Sequence, residues 1–137
     1  MSRVLADTGA LVAFIDRNEA SHRAVRVAFG DAQMPVISTW AILTEAFYFA
    51  QKNGKIDPLW GMLEDGLIKI LPIADDELPA LHALMLKYAD RPMDFADATL
   101  VHVAGREGIA DILTIDHDDF ETYRFGRNRK FRIAPAR

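Results

Sequence analysis

The segment Val4-Leu5-Ala6-Asp7-Thr8-Gly9-Ala10-Leu11, at residues 4–11, decides the fold. Residues 3–6 predict a short strand, and residues 9–17 predict an apolar helix that follows it at once. A short apolar strand that passes straight into a helix is typical of a parallel sheet with helices on both faces. Asp7 then lies at the carboxyl end of the strand, which is the edge where such sheets bind ligands.

The rest of the chain repeats this alternation of short apolar runs and longer helical segments. The predicted strands are residues 3–6, 35–38, 67–71, 111–115 and 131–133. The predicted helices are residues 9–17, 22–29, 39–52, 57–66, 75–88 and 94–107, with a break at residues 91–93 before the last. This order predicts an α/β fold, a three-layer α/β/α sandwich with a mostly parallel, roughly five-stranded sheet.

Length and composition favour a single domain over residues 1–137. Half of the residues are hydrophobic, which is enough for one core in a chain of 137 residues. The chain has no cysteine, so disulfides and thiolate metal sites are excluded and a reducing cytoplasm is compatible. No apolar run approaches the roughly 18 to 20 residues of a membrane span, and the N-terminal segment is too short for a secretory leader. We therefore expect a cytoplasmic protein that does not contact a membrane.

Charge is distributed unevenly along the chain. All 20 acidic residues lie at or before Glu121, whereas residues 124–137 contain six basic residues and no acid. A basic segment on an acidic body predicts contacts with an RNA phosphate backbone, and a solvated surface hairpin explains the same pattern. The candidate RNA-binding residues are Arg124, Arg127, Arg129 and Lys130.

Five acidic side chains lie beside or inside apolar segments: Asp7, Glu45, Asp94, Asp97 and Asp116. Each has a local explanation. Asp7 and Asp94 would cap the helices that follow them, and Asp97 would lie favourably in the first turn. Glu45 would belong to a partly exposed stripe, and Asp116 to a solvated turn. As separate explanations, however, these do not predict acids at two strand ends and on two helices of one fold.

A shared cation explains all five acids together. Carboxylates that lie close together in poorly hydrated surroundings repel one another, and a divalent cation removes that repulsion. Mg²⁺ or Mn²⁺ suits ligands that are only oxygen atoms. One or two such ions would lower the pKa of an attacking water molecule and neutralise charge on a phosphate, so the pattern predicts metal-assisted phosphodiester cleavage.

The chain resembles the PIN-domain ribonucleases, particularly the VapC-like toxins of prokaryotic toxin-antitoxin pairs. The resemblance covers nearly the whole chain and depends on an ordered set of segments: residues 4–11, the helix with Glu45, residues 93–100, residues 112–116, and Asp119-Phe120. It implies an Mg²⁺- or Mn²⁺-dependent endoribonuclease.

The resemblance also implies roles for individual residues. Asp7, Glu45, Asp97 and Asp116 match the four family acids, and Asp94 matches an additional acid of some members. Thr8 and Thr114 match hydroxyl positions that orient ligands or water, and both also suit local turns or caps. The implied partners are an RNA substrate, a second copy of the chain in a two-fold dimer, and a small antitoxin encoded nearby.

Two other functions remain compatible with the fold. One is a PIN-like module that binds RNA or protein without turnover. The other is an Mg²⁺-dependent phosphatase or phosphotransfer domain. Such domains require a second acid beside Asp7 and a lysine near Thr114 or Asp116, and the sequence has neither. His117, next to Asp116, fits a solvated loop or a contact with metal or phosphate.

Overall fold

A five-stranded parallel sheet forms the centre of the protein. The computed structural model describes residues 3–91 and 93–137, so residues 1–2 and Pro92, within the predicted break, lie outside the described residues. The sheet strands are β1 (Val4–Ala6), β2 (Val36–Ser38), β3 (Ile68–Ile70), β4 (Asp111–Leu113) and β7 (Arg132–Ala134). Their order in the sheet is β3-β2-β1-β4-β7, and every neighbouring pair is parallel.

In the described part of the chain, seven α-helices flank this sheet and complete the α/β/α fold, which confirms the predicted fold class. They are α1 (Thr8–Ile15), α2 (His22–Gly30), α3 (Trp40–Lys52), α4 (Ile56–Glu64), α5 (Leu78–Lys87), α6 (Phe95–Glu107) and α7 (His117–Thr122). Leu5, Leu11, Ile42, Leu100 and Ile112 are completely buried, so β1, β4, α1, α3 and α6 share one core. Among the described residues, no helix is long and apolar enough to cross a lipid bilayer.

The strand order places β1 at the point where the chain changes direction across the sheet. The chain runs from β1 outward through β2 to β3, and later returns to the other side of β1 as β4. Leu5 therefore pairs with Ile37 on one side and with Ile112 on the other. The carboxyl ends of β1 and β4 are thus adjacent, and a crevice for ligands is expected just outside them.

The structure differs from the sequence-based elements in the last third of the chain. Residues 117–122 form a helix that the sequence did not predict, because six residues are too few to show a helical periodicity. The basic segment forms a hairpin of β5 (Arg124–Phe125) and β6 (Arg129–Lys130), and the fifth sheet strand starts at Arg132 rather than Phe131. Phe131 is 9% exposed and its ring lies 4.7 Å from that of Phe125, so it belongs to the core below the hairpin.

The helix predicted over residues 75–88 is divided in two. Residues Asp75–Glu77 form a single 3₁₀ turn, and α5 starts at Leu78. Pro79 explains the division, because it has no N–H to donate to the carbonyl of Asp75 and can occupy only the first turn of an α-helix.

Candidate active site

A crevice of about 350 Å³ opens at the carboxyl ends of β1 and β4. The residues predicted from the sequence that line it are Asp7, Thr8, Glu45, Asp94, Asp97 and Asp116. Gly9, Phe49, Ile115 and Asp119 complete its lining. Side chains as far apart in the sequence as Asp7 and Asp119 therefore meet in one place.

Asp7 is the most deeply buried of these acids, with 6% of its surface exposed. Its Oδ1 accepts the backbone N–H of Ala10 at 2.9 Å and so caps α1, while its Oδ2 accepts the hydroxyl hydrogen of Thr114. Burial raises the pKa of Asp7 to about 6, against the lowering effect of these two hydrogen bonds, and Asp116 and Glu45 raise it further. The cap and a ligand role are compatible, because each carboxylate oxygen has more than one lone pair.

Thr114 connects the two strand ends, although it does not line the crevice. Its side chain is completely buried, and the same oxygen that donates to Asp7 accepts the backbone N–H of Asp116 at 2.9 Å. The residue therefore orients the Asp7 carboxylate and the backbone at the start of α7.

Glu45 reaches the crevice from α3. Thr8, the first residue of α1, donates its hydroxyl hydrogen to Glu45 Oε1 at 2.8 Å. This contact fixes one carboxylate oxygen toward α1 and leaves Oε2 without a side-chain partner among the described residues. Thr8 thus orients an acid in the structure.

Asp94 and Asp97 both lie at the start of α6. Asp94 Oδ1 accepts the backbone N–H of Asp97 at 2.7 Å and caps the helix, while its side chain remains exposed. Asp97 is more buried, and the hydroxyl of the buried Tyr123 donates to its Oδ2 at 3.4 Å. Burial raises the pKa of Asp97 to about 8, and the nearby charges of Asp94, Asp7, Asp119 and Asp116 add to this rise.

Asp116 and Asp119 bring a further pair of carboxylates from α7. Asp116 Oδ1 accepts the backbone N–H of Asp119 at 3.2 Å, and its pKa is raised by partial burial and by Asp119. Asp119 also receives a hydrogen bond from Arg91 Nε at 3.2 Å. Asp119 is not among the site residues predicted from the sequence, although its three-residue separation from Asp116 repeats that of Asp94 and Asp97.

The candidate RNA-binding residues of the hairpin do not line the described crevice. Arg124 donates to the backbone carbonyls of Glu121, Thr122 and Tyr123, so its guanidinium caps the C-terminus of α7. The other three, Arg127, Arg129 and Lys130, are exposed. His117 Nε2 donates to the carbonyl oxygen of Pro135 at 2.7 Å. This contact differs from both positions considered from the sequence, a solvated loop and a contact with metal or phosphate.

The donor set fits a hard divalent cation. All the polar side chains that line the crevice offer oxygen atoms, which Mg²⁺ and Mn²⁺ prefer. Burial raises the pKa values of Asp7 and Asp97, repulsion from the neighbouring acids raises them further, and a cation would oppose both effects. Among the described residues, no group of three His, Asp or Glu side chains could hold a metal ion as they stand, so the carboxylates would have to move closer together around one.

Comparisons with known proteins agree with this fold. A family model described as the PIN domain matches residues 4–126. Ribonuclease VapC26 of Mycobacterium tuberculosis (strain ATCC 25618 / H37Rv) is 24% identical over 135 residues, which covers 96% of this chain and all of that relative. The crystal structure of Mycobacterium tuberculosis VapC20, a toxin that cleaves the sarcin-ricin loop, superposes with a TM-score of 0.75 at 15% identity, covering 84% of this chain and 91% of the other.

The resemblance to VapC-like PIN-domain ribonucleases inferred from the sequence is confirmed by these matches. Since the family model spans nearly the whole chain, and the sheet and the acidic crevice occur together in one fold, this chain belongs to the PIN-domain family.

Proposed function

We propose that this protein is an Mg²⁺- or Mn²⁺-dependent endoribonuclease that cleaves RNA phosphodiesters by attack of a water molecule. The observation that carries the proposal is the meeting of Asp7, Glu45, Asp97 and Asp116 in one crevice, with the pKa values of Asp7 and Asp97 raised to about 6 and about 8. Strongly perturbed carboxylates in a crevice are concentrated at functional sites, and an ion pair would lower their pKa values rather than raise them.

Asp7, Glu45, Asp97 and Asp116 would hold the ion, with Asp94 as an additional acid at the rim. A bound divalent ion would supply the positive charge that these acids lack, polarise the phosphate and favour ionisation of the attacking water. The remaining parts of the site prepare this arrangement. Thr114 orients Asp7 and Thr8 orients Glu45, so two of the ligands are held in place while the acids on the other elements would move toward an ion.

The biological role that we propose is that of the toxin in a VapBC-type toxin-antitoxin pair. This follows from the similarity to ribonuclease VapC26 and to the toxin VapC20. The proposal includes a homodimer, a small antitoxin encoded by a neighbouring gene, and a cytoplasmic RNA substrate. Residues 1–137 would form one nuclease domain, because the helices and strands described share a single hydrophobic core.

The exposed basic side chains of the hairpin would serve as a secondary contact for RNA. Gly126 of the hairpin lies against Gly105 of α6, which is eight residues, or about 12 Å, along that helix from Asp97. Arg127, Arg129 and Lys130 would therefore bind phosphates distant from the bond that is cut.

The test is an RNA cleavage assay with the purified, metal-free protein, titrated with Mg²⁺ and Mn²⁺. We expect cleavage only with added metal, its suppression by a chelator, and its loss in Asp7→Asn and Asp97→Asn with the fold retained. Asp65→Asn is the matched control, because this exposed acid follows α4 and does not line the crevice. Undiminished cleavage by metal-free protein would show that the mechanism is wrong, and gene context would decide the antitoxin separately.

A further inference from the structure

Helix α3 continues one side of the crevice out to the protein surface. Glu45, Phe49 and Lys52 are separated by four and three residues, so their side chains lie on one face of this helix. Glu45 and Phe49 both line the crevice, while Lys52 is exposed beyond it. At a rise of 1.5 Å per residue, Phe49 lies about 6 Å and Lys52 about 10 Å along the helix from Glu45.

Phe49 is an unusual neighbour for this group of carboxylates. Its side chain is 42% exposed, although a phenyl ring is favoured in the core. The ring of Tyr48 packs edge-on against it, with centroids 5.3 Å apart, and Lys52 Nζ lies 5.5 Å from the centroid of the Tyr48 ring. Phe49 is thus supported on one side and presents the rest of its aromatic surface beside the acids.

An RNA strand needs such a surface at this place. The carboxylates around the crevice repel the phosphates that flank the one to be cut, so the acidic lining cannot by itself hold the strand. Stacking of a base on an aromatic ring does not depend on phosphate charge, and alternating aromatic and cationic side chains are the common means of binding single-stranded nucleic acid.

We propose that Phe49 is the stacking platform for a nucleobase beside the scissile phosphate, and that Lys52 pairs with the next phosphate along the strand. The inference rests on the proposed endoribonuclease function and deepens it, because it defines the path of the RNA along α3. A base must leave its helical stack to reach Phe49, so the substrate at this position is single-stranded or looped RNA.

The test uses an RNA oligonucleotide that the wild-type protein cuts at one mapped position, together with versions in which either flanking nucleotide lacks its base. On one of the two abasic versions, we expect the wild-type kcat/KM to fall by about tenfold or more, chiefly through KM, because stacking contributes before and during the reaction. Phe49→Leu should lower kcat/KM by a similar factor on the intact RNA. On that abasic version its kcat/KM should be close to that of the wild type, because no base is left to stack. Phe49→Trp, which retains an aromatic face, should lose much less of the wild-type kcat/KM than Phe49→Leu.

The matched control is Trp60→Leu. Trp60 is an aromatic residue of α4 that is 50% exposed and does not line the crevice, so its replacement should leave the cleavage of the intact and abasic RNAs unchanged. Lys52→Gln should reduce the slope of log KM against log salt concentration by about one, the change expected for one lost phosphate contact. Lys69 is an exposed lysine on β3, and Lys69→Gln should leave this slope unchanged.

Three results would overturn the inference in distinguishable ways. Unchanged cleavage by Phe49→Leu would mean that RNA does not use this surface, and would leave the face of α3 to a protein partner. If Phe49→Leu lowered kcat/KM on the abasic RNA by the same factor as on the intact RNA, the missing base would not be the one that stacks on Phe49. Absence of metal-dependent cleavage by the wild-type protein itself would remove the proposed function, and this inference with it.

Discussion

Thr114 and Asp7 are 107 residues apart in the chain, yet the hydroxyl of Thr114 donates a hydrogen bond to Asp7 Oδ2. Both side chains are buried, so this bond forms where water does not compete with it. The Thr114 oxygen also accepts the backbone N–H of Asp116. A single hydroxyl therefore orients the Asp7 carboxylate and the backbone of Asp116, and it lowers the pKa of Asp7 against the effect of burial.

Replacing Thr114 by valine should weaken metal binding. The hydrogen bond favours the charged form of Asp7, so its loss should raise the pKa of that acid above about 6 and leave less of it ionised near neutral pH. We expect Mn²⁺ affinity at pH 7, measured by calorimetry, to fall about five- to tenfold. Thr114→Ser keeps the hydroxyl and should bind as the wild type does. Equal affinities of Thr114→Val and Thr114→Ser would contradict the role given to this bond.

The stability of the metal-free protein should decrease as the pH rises. The folded-state pKa values of Asp7 and Asp97, about 6 and about 8, lie above the ordinary value of 3.8. Between pH 4 and pH 8 the folded protein therefore binds more protons than the unfolded chain, and the free energy of unfolding falls as these protons are lost. The total loss should be on the order of a few kcal/mol, measured by urea unfolding at a series of pH values.

Two comparisons separate this effect from general pH sensitivity. Asp97→Asn removes the acid with the higher pKa. The free energy of unfolding of this variant should therefore change little between pH 6 and pH 8, while that of the wild-type protein falls. Added Mg²⁺ should stabilise the wild-type protein at pH 8 more than Asp97→Asn, because the ion favours the ionised acids. A wild-type stability that increases from pH 5 to pH 8 without metal would be the opposite of this expectation.

Tyr123→Phe should reduce metal affinity without disturbing the fold. The Tyr123 ring is buried with its centroid 5.1 Å from that of Tyr88 and 5.3 Å from that of Phe120, and phenylalanine preserves this packing. The lost hydroxyl donates to Asp97 Oδ2 at a long distance of 3.4 Å, so the effect should be modest, about two- to fivefold in Mn²⁺ affinity. An unchanged affinity would show that this contact does not position Asp97.

Two helical glycines should respond oppositely to alanine. At Gly105 in α6, an added Cβ would lie 3.0 Å from the backbone nitrogen of Gly126, which cannot move without displacing the β5–β6 hairpin. Gly105→Ala should therefore lower the free energy of unfolding by about 1–3 kcal/mol. At Gly61 in α4 no atom lies within 4 Å of the added Cβ, and Gly61→Ala should raise it by about 0.5–1 kcal/mol. Urea unfolding of both variants measures the difference, and two changes of the same sign would contradict the close packing of α6 on the hairpin.

Local sequence signals were sufficient where an element was long or strongly apolar. The helices over residues 40–52 and 95–107 and the strands that end before Asp7 and Thr114 were predicted to within a few residues. The short α7 was not predicted, because six residues are too few to show a periodicity. A surface hairpin was one of two explanations of the basic segment, and the structure shows it. The roles of Asp7 and Asp94 as helix caps followed from their positions before helices, and the structure shows both. Asp116 was expected in a solvated turn, and in the structure it caps the unpredicted helix α7.

The sequence by itself determined the alternation of strands and helices and the acids at their ends, because these depend on neighbouring residues only. The tertiary structure decided that β4 returns to lie beside β1, which brings Asp116 to Asp7. It also decided that Asp119 lines the crevice, that Tyr123 reaches Asp97, and that Phe49 remains half exposed beside the acids. The reason is that burial, hydrogen-bond partners and the pKa of a carboxylate depend on segments that are distant in the chain and meet only when the core packs.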